Sequence, residues 1–433
     1  MIPTYPDHLE IAPLQRSLSA SIRVPGSKSI TNRALVLAAL NASGDCVLTG
    51  ALQSEDTEVM IDCLRRLDFQ VAEDWASSVL HVQRPDTDRL IPATSAELFA
   101  TNSGTTMRFL TALVSLGQGR YRLDGSARMR ERPIEDLLTA LRGLGIKAHS
   151  EAGNGCPPVI IESAGLSGGT VRIRGDISSQ FLTGLLLAAP CAAGTTTIEV
   201  DGPLVSEPYV AMTLAMLKQW RLRVDAAFPT FRIPGGQRPR RSLYAIEPDA
   251  SAASYFAGAA AIMGGTVTLQ GINGRSLQGD VRFLGLLERM GCRLERGDRD
   301  TTVHGGPLAG IDVDMNDISD TVMTLAVVAC FAAGPTIIRN VAHIRHKETD
   351  RLAALACELR RLGALVEERD DGLKITPAPL HGAVCETYND HRMAMSLALA
   401  GLRLPGVVIR NPACVAKTYP RFFEDLASIV GRP

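Results

Sequence analysis

Apolar and polar positions along the chain recur with a long period. Six times a short polar cluster is followed at once by an apolar run rich in Leu and Ala. The clusters are Ser29-Ile-Thr-Asn-Arg33, Ser103-Gly-Thr-Thr-Met-Arg108, Ser178-Ser-Gln-Phe181, Ser251-Ala-Ala-Ser-Tyr255, Ser319-Asp-Thr-Val-Met323 and Asp390-His-Arg-Met393, spaced 68–75 residues apart. Each reads as a helix start leading into a buried helix. In most copies a glycine-bearing turn follows, then a β-branched run: Val47–Thr49, Tyr121–Leu123, Thr195–Val200, Thr266–Leu269, Thr336–Ile338 and Val407–Ile409. An amphipathic second helix comes next. Over Lys347–Leu362 the apolar positions Leu352, Leu355, Ala356, Leu359 and Leu362 fall on one stripe, which predicts a helix across that span closed by Gly363. Each unit therefore predicts helix, strand, helix, strands. One unit alone leaves apolar faces exposed, so the units must pack on each other.

Length turns this repeat into a domain count. At 433 residues the chain is too long for one core, and six units suggest an α/β protein of two domains with three units each. The midpoint falls near the basic, Pro/Gly-rich stretch Pro234–Ser242, which reads as a solvated loop before a boundary at 244–249. A second crossing is expected at 25–27, just before the first repeat helix. Composition, with 45% apolar and 21% charged residues, is that of an ordinary globular protein. A net charge of −1 and 5% aromatics argue against nucleic acid as the partner. The nine cysteines form no Cys-x-x-Cys pair and no zinc spacing, and so predict small buried thiols in a reducing cytoplasm. Met1–Glu10 lacks the pattern of a secretory leader, and no apolar run reaches the ~18 residues of a membrane span. Phe181–Gly194 and Thr321–Gly334 fit buried helices better.

Candidate chemistry collects at the helix starts. A helix N-terminus offers unpaired N–H groups and partial positive charge, which suit phosphate and carboxylate. Several starts also carry a basic residue that opposes this field. Lys28 sits at the first of them, with Ser29 and Arg33 one helical turn apart. Gly104 and Thr105 open the second, where a glycine lets a ligand approach backbone closely. Arg128, Arg130 and Arg132 alternate, and in an extended segment they would point one way. His343-Ile-Arg-His-Lys-Glu-Thr-Asp-Arg351 is the densest charged cluster, with Lys347 and Arg351 four apart on one predicted helix face. Arg392 and Lys417 add two more cations, and Asp320 supplies a carboxylate that is either a helix-start stabiliser or a base.

These motifs together are specific. Pro25-Gly-Ser-Lys-Ser-x-x-Asn-Arg33, Arg128-Met-x-Glu-Arg-Pro-Ile134, Ser178-Ser-Gln-Phe-Leu-Thr183, Lys347-Glu-Thr-Asp-Arg351 and Tyr388-Asn-Asp-His-Arg-Met-Ala-Met395 closely resemble the 3-phosphoshikimate 1-carboxyvinyltransferase family, over about Val24–Leu426. The resemblance implies a two-domain inside-out α/β barrel of six βαβαββ units, three about a pseudo-threefold axis in each domain. It implies one domain of 27–246 and another of 1–26 with 247–433, substrates in the cleft, and closure on them. It implies transfer of an enolpyruvyl group from phosphoenolpyruvate to the 5-hydroxyl of shikimate 3-phosphate, by addition and then elimination of phosphate. No metal or organic cofactor is required, and a monomer acting on small molecules is expected, without nucleic acid or membrane.

By the family's pattern Ser29, Arg33, Ser178, Ser179, Ser206, Tyr209, His343 and Lys347 would hold shikimate 3-phosphate. Gly104, Thr105, Arg128, Arg351, Arg392 and Lys417 would surround phosphoenolpyruvate. Lys28 and Gln180 would serve both. Asp320 would orient and deprotonate the hydroxyl, and Glu348 would donate a proton to C3, with Lys28 a competing candidate. So many cations about one small anion suggest mutual repulsion until a ligand discharges them. Two positions depart from the pattern. Phe109 replaces a usual proline on the helix that carries Gly104, which bears on sensitivity to glyphosate, the family's phosphonate inhibitor. His343 stands where many members have Asn, though it too can donate a hydrogen bond. The sister enzyme acting on UDP-N-acetylglucosamine normally carries a loop cysteine, and none lies between Cys63 and Cys156. A non-catalytic phosphosugar-binding protein on this scaffold is the alternative from another class.

Overall fold

The computed structural model describes residues 3–15 and 17–431, and the chain divides into two compact units, Gly26–Ile246 and Met1–Pro25 with Glu247–Pro433. In the unit Gly26–Ile246 the helices are α1 (Lys28–Ala39), α2 (Glu55–Arg66), α3 (Gly104–Leu113), α4 (Glu135–Gly143), α5 (Ser179–Ala188) and α6 (Glu207–Gln219). Three four-stranded sheets accompany them. In spatial order one is Leu243–Ala245, Asp45–Thr49, Val79–Gln83, Gln70–Asp74, and the next is Ser95–Phe99, Gln118–Asp124, Val159–Ala164, Lys147–Ser150. The third is Gly169–Arg174, Thr196–Asp201, Thr230–Ile233, Asp225–Ala227.

Each sheet has the same plan. Its first two strands are parallel and the rest antiparallel. In the second and third sheets α3 and α5 run between the parallel strands, giving βαβαββ. The first sheet takes its opening strand, Leu243–Ala245, from the far end of the unit. Helices α1, α3 and α5 pack on one another, and every residue of α3 is buried. Its polar members are bonded inside, Thr111 to the Met107 carbonyl and Arg108 to the Pro133 carbonyl. The backbones of α3 and α5 touch: a Cβ on Gly184 would lie 2.9 Å from the Arg108 carbonyl oxygen.

The other unit repeats the plan with α7 (Ala250–Met263), α8 (Phe283–Arg289), α9 (Val322–Ala329), α10 (Arg351–Arg361), α11 (His391–Gly401) and α12 (Phe422–Ile429). Here α7, α9 and α11 are the central helices and pack on one another. Two sheets have four strands: Ser19–Ile22 beside Thr266–Leu269, Thr301–His304 and Arg293–Arg296, and Asp312–Asp314 beside Thr336–Arg339, Gly372–Thr376 and Leu365–Arg369. The last has three, in which His8–Ile11 supplies the antiparallel neighbour of Val407–Arg410. Tyr255, Tyr419 and Phe422 stack edge-on between α7 and α12, with centroids 5.5 and 5.7 Å apart.

All six polar clusters of the repeat lie at the start of a central helix, α1, α3, α5, α7, α9 or α11. Two local expectations fail. Helix α10 begins at Arg351, because the Asp350 carboxylate accepts from the Leu352 and Ala353 N–H groups, each at 3.1 Å, and caps it there. Lys347 and Glu348 therefore lie outside the helix, in the connection after the 3₁₀ turn Ala342–His346, and Lys347 shares no helical face with Arg351. The Arg128–Arg132 segment is not extended, since Met129–Glu131 forms a 3₁₀ turn. Its arginines separate instead of aligning.

Candidate active site

In the unit Gly26–Ile246 the starts of α1, α3 and α5 meet. Asn32 Nδ2 on α1 donates to Thr105 Oγ1 on α3 at 2.7 Å. Ser103 caps α3 by accepting from Thr106 N, and Ser178 caps α5 by accepting from Gln180 N. Gly104 lies beneath polar side chains: a Cβ there would stand 2.8 Å from an Arg132 NH2 and 3.1 Å from Gln180 Oε1. The hydrogen at that position is thus what lets Arg132 and Gln180 approach the head of α3.

Lys28, the first residue of α1, opposes the helix field, yet its ammonium lies 3.5 Å from Asp56 Oδ2 on α2. Arg33 is 1% exposed. Its guanidinium donates to Thr213 Oγ1 at 2.8 Å and to the carbonyls of Ser29 and Tyr209, and it lies 5.2 Å from the centroid of the Phe109 ring. Burial pulls its pKa down to about 10. Ser206, ahead of α6, is buried in a left-handed conformation (φ 53°), a strained backbone of the kind retained at sites. Ser29 and Ser179 lie in the first turns of α1 and α5, and Tyr209 in that of α6. Arg128 is turned to Glu131 at 2.8 Å and Arg130 to Asp124 at 2.7 Å. Arg132 is the buried member of the three, donating to the Asn102 carbonyl at 3.2 Å.

In the other unit three cations and three carboxylates interlock. Arg351 donates Nε to Asp390 Oδ2 at 2.8 Å, one NH2 to Glu348 Oε2 at 2.8 Å, and NH1 to Asp320 Oδ1 at 3.3 Å. Arg392 donates to Asp320 Oδ2 at 2.7 Å and to the Tyr255 hydroxyl at 3.4 Å. Lys417 Nζ lies 3.9 Å from Glu348 Oε1. Arg351, Arg392, Lys417 and Asp390 are all buried. Burial works against the Arg351 cation, but Asp390, Glu348 and Asp320 outweigh it and raise its pKa above that of an ordinary arginine. The expectation that these cations repel until a ligand arrives is overturned here, because the protein's own carboxylates discharge them.

Around this network stand two further groups. His343 is buried in the turn Ala342–His346, and burial, then Lys347, push its pKa down to about 3, so the ring is neutral. Asp280 is buried and accepts a hydrogen bond from the Ser251 hydroxyl at the head of α7. Burial, then the charge of Asp320, push its carboxyl up to about 7.

Sequence reasoning missed Asp56, Asp280, Tyr255 and the inward role of Arg132. For Asp280 the only signal was a carboxylate just ahead of the apolar helix start Phe283-Leu, which is too weak to act on. Among the described residues no group of three His, Cys, Asp or Glu side chains is placed to hold a metal ion, and no helix is long and apolar enough to cross a membrane.

Comparison with known proteins bears on what this arrangement does. Residues 14–426 match the family described as EPSP synthase (3-phosphoshikimate 1-carboxyvinyltransferase). The chain is 47% identical over 428 residues to the 3-phosphoshikimate 1-carboxyvinyltransferase of Trichormus variabilis, covering 98% of this chain and 100% of that one. It is 46% identical over 416 residues to the protein of the same name from Shewanella sp. (strain W3-18-1), covering 95% and 96%. The solved EPSP synthase of Acinetobacter baumannii matches with a TM-score of 0.81 and 27% identity over 98% of each chain. The enolpyruvyl transferase NikO of Streptomyces tendae shares the fold, with a TM-score of 0.75, 23% identity, and coverage of 97% and 96%.

Proposed function

The chain belongs to the EPSP synthase (3-phosphoshikimate 1-carboxyvinyltransferase) family, and from that membership we propose how its residues share the reaction. The chain transfers the enolpyruvyl group of phosphoenolpyruvate to the 5-hydroxyl of shikimate 3-phosphate, releasing phosphate, in aromatic amino acid biosynthesis. In our reading Asp320 takes the hydroxyl proton as oxygen attacks C2 of phosphoenolpyruvate. Glu348 gives a proton to C3, and the tetrahedral intermediate then loses phosphate from C2 together with one proton from C3, which restores the double bond of the enolpyruvyl group. Lys28 is the competing proton donor.

The observation that carries this reading is Arg351. One buried guanidinium bonds both Asp320 and Glu348, at 3.3 and 2.8 Å, so a single rigid fork sets the distance between the base and the acid. Phosphoenolpyruvate is taken by Arg351, Arg392 and Lys417, with Arg128, Gly104 and Thr105. Shikimate 3-phosphate is taken by Ser29, Arg33, Ser178, Ser179, Ser206 and Tyr209, with His343 and Lys347. Lys28 and Gln180 meet both substrates. On this reading the carboxylates that discharge Arg351 and Arg392 hold them in place until the substrate's own charges share them, and orientation supplies much of the rate. Every group named lies on this one chain, which supports action as a monomer. Nine free cysteines support a reducing, cytoplasmic setting.

Phosphorus NMR of the protein with both substrates tests the reaction: free phosphate and a new phosphomonoester should appear together and only when both are present. Turnover with UDP-N-acetylglucosamine as acceptor in place of shikimate 3-phosphate would overturn it. Glu348→Gln should bind both substrates and lose most turnover, and near-normal turnover would move the proton donor to Lys28.

A further inference from the structure

Glu358 is a carboxylate with no exposed surface on the buried side of α10, two turns beyond Arg351. Burying such a charge is costly unless it is fully bonded. Its bonds all lead to one segment or to its own helix. Oε1 accepts from the Tyr388 hydroxyl at 2.8 Å, Oε2 accepts from the Glu386 N–H at 3.0 Å, and the Arg361 guanidinium lies 3.2 Å from Oε2 as an ion pair. Burial first, then Cys357 and Glu358, raise the Tyr388 pKa and keep that phenol a donor.

The bonded segment is strained. Tyr388 and Asn389 both have φ near 54°, consecutive left-handed residues of which neither is glycine. Such a conformation is disfavoured for a residue with a Cβ and persists only where the surroundings hold it. Immediately after them comes Asp390, which caps α11 through the Arg392 N–H at 2.9 Å and bonds Arg351 at 2.8 Å. Arg351 and Glu358 are seven residues apart on α10, so they lie on one face of that helix. One helix face thus grips the segment at both ends, Glu358 at Glu386 and Tyr388, Arg351 at Asp390.

We propose that Glu358 is a positioning residue for the transfer reaction. Through Tyr388 it holds the strained pair 388–389 so that Asp390 meets Arg351, and with that sets the guanidiniums of Arg351 and Arg392 for phosphoenolpyruvate. The inference rests on the reading above that these two arginines take phosphoenolpyruvate. It explains why a carboxylate is kept inside an otherwise apolar stripe, two turns from the charged network it serves.

The test is steady-state kinetics of Tyr388→Phe and Glu358→Gln, with Arg392→Gln as the control for the site itself. Tyr388→Phe removes one hydroxyl from a half-exposed ring, so it reports even where Glu358→Gln fails to fold. We expect each variant to raise KM for phosphoenolpyruvate about tenfold, with KM for shikimate 3-phosphate within about twofold of wild type. The double variant should be no worse than the poorer single one, since both act through one contact. An unchanged phosphoenolpyruvate KM in both variants, with Arg392→Gln impaired, overturns the positioning role and leaves the site reading intact. An unchanged KM in Arg392→Gln overturns the site reading and the inference with it. Parallel losses for both substrates together with a lower melting temperature mark Glu358 as a general structural strut, which also overturns the proposal.

Discussion

Arg351 Nε and Asp390 Oδ2 sit 2.8 Å apart with both side chains buried, and they join the first turn of α10 to the cap of α11. A pair so placed is not a strong source of net stability, because both charges lost their hydration on folding. Its consequence is geometric. The arginine that bonds Asp320 and Glu348 cannot shift without moving the head of α11, where Arg392 begins.

Asp390→Asn isolates that role. Asparagine is as good a helix cap as aspartate, so the Arg392 N–H keeps its acceptor. The charge opposite Arg351 is lost, while Glu348 and Asp320 remain against it. We expect destabilisation near the low end of the about 3–5 kcal/mol seen when a buried pair loses one partner, read as a lower urea midpoint. Turnover should fall by more than tenfold. A variant with a wild-type midpoint would show that the other two carboxylates alone satisfy Arg351.

Gly104→Ala should separate binding from stability. The added methyl would press on an Arg132 NH2 at 2.8 Å and on Gln180 Oε1 at 3.1 Å, both ends of flexible side chains. They can move aside, so the melting temperature should change by no more than a few degrees. Displaced Arg132 and Gln180 would then intrude where the anion approaches the head of α3. KM for phosphoenolpyruvate should rise about tenfold and KM for shikimate 3-phosphate by clearly less, since only Gln180 of the displaced groups meets that substrate. Equal rises in both constants would mean that Gly104 serves the two substrates alike.

The repeat was legible because each central helix start combines a polar cap with a predominantly apolar run, a local signature that chain order alone displays. The starts of α1, α3, α5, α7, α9 and α11 were all read this way. The charge partners were not legible. Lys28 finds Asp56, and Arg351 finds Asp390, across 28 and 39 residues. No periodicity within a helix or strand places those carboxylates. The cations consequently looked unopposed, and repulsion was the wrong inference. The failure at Lys347 was local: a Lys-x-x-x-Arg spacing fits a helix face, but Asp350 caps the chain three residues later and takes Lys347 out of it.

Asp280 predicts a pH effect on stability. Its carboxyl titrates near 7 in the folded protein, raised by burial and by Asp320, against an ordinary value near 4. Between these values the folded state holds a proton that the unfolded state has released, so stability falls as pH rises from about 4 to about 7. Asp280→Asn removes this dependence and still offers Ser251 an acceptor oxygen. Urea midpoints at pH 5 and pH 8 should show the variant gaining on wild type at the higher pH. Parallel midpoints across that range would mean that Asp280 is already ionised at pH 5.

His343 predicts the opposite sign. Burial, then Lys347, hold its folded pKa near 3, below the ordinary value near 6.5. As pH falls below about 6.5 the unfolded chain takes up a proton that the folded ring refuses, so the stability associated with the neutral ring is present above that pH and lost on acidification. One unit below 6.5 the loss is about 1.4 kcal/mol. His343→Asn has no such proton, and should lose correspondingly less stability than wild type between pH 7.5 and 5.5. The same neutrality bears on catalysis. If His343 contacts shikimate 3-phosphate as an uncharged donor, the ratio of KM values for that substrate between His343→Asn and wild type should stay constant from pH 5.5 to 8. A ratio that grows on acidification would show that substrate binding draws a proton onto the imidazole, and that this histidine meets the phosphorylated substrate as a cation.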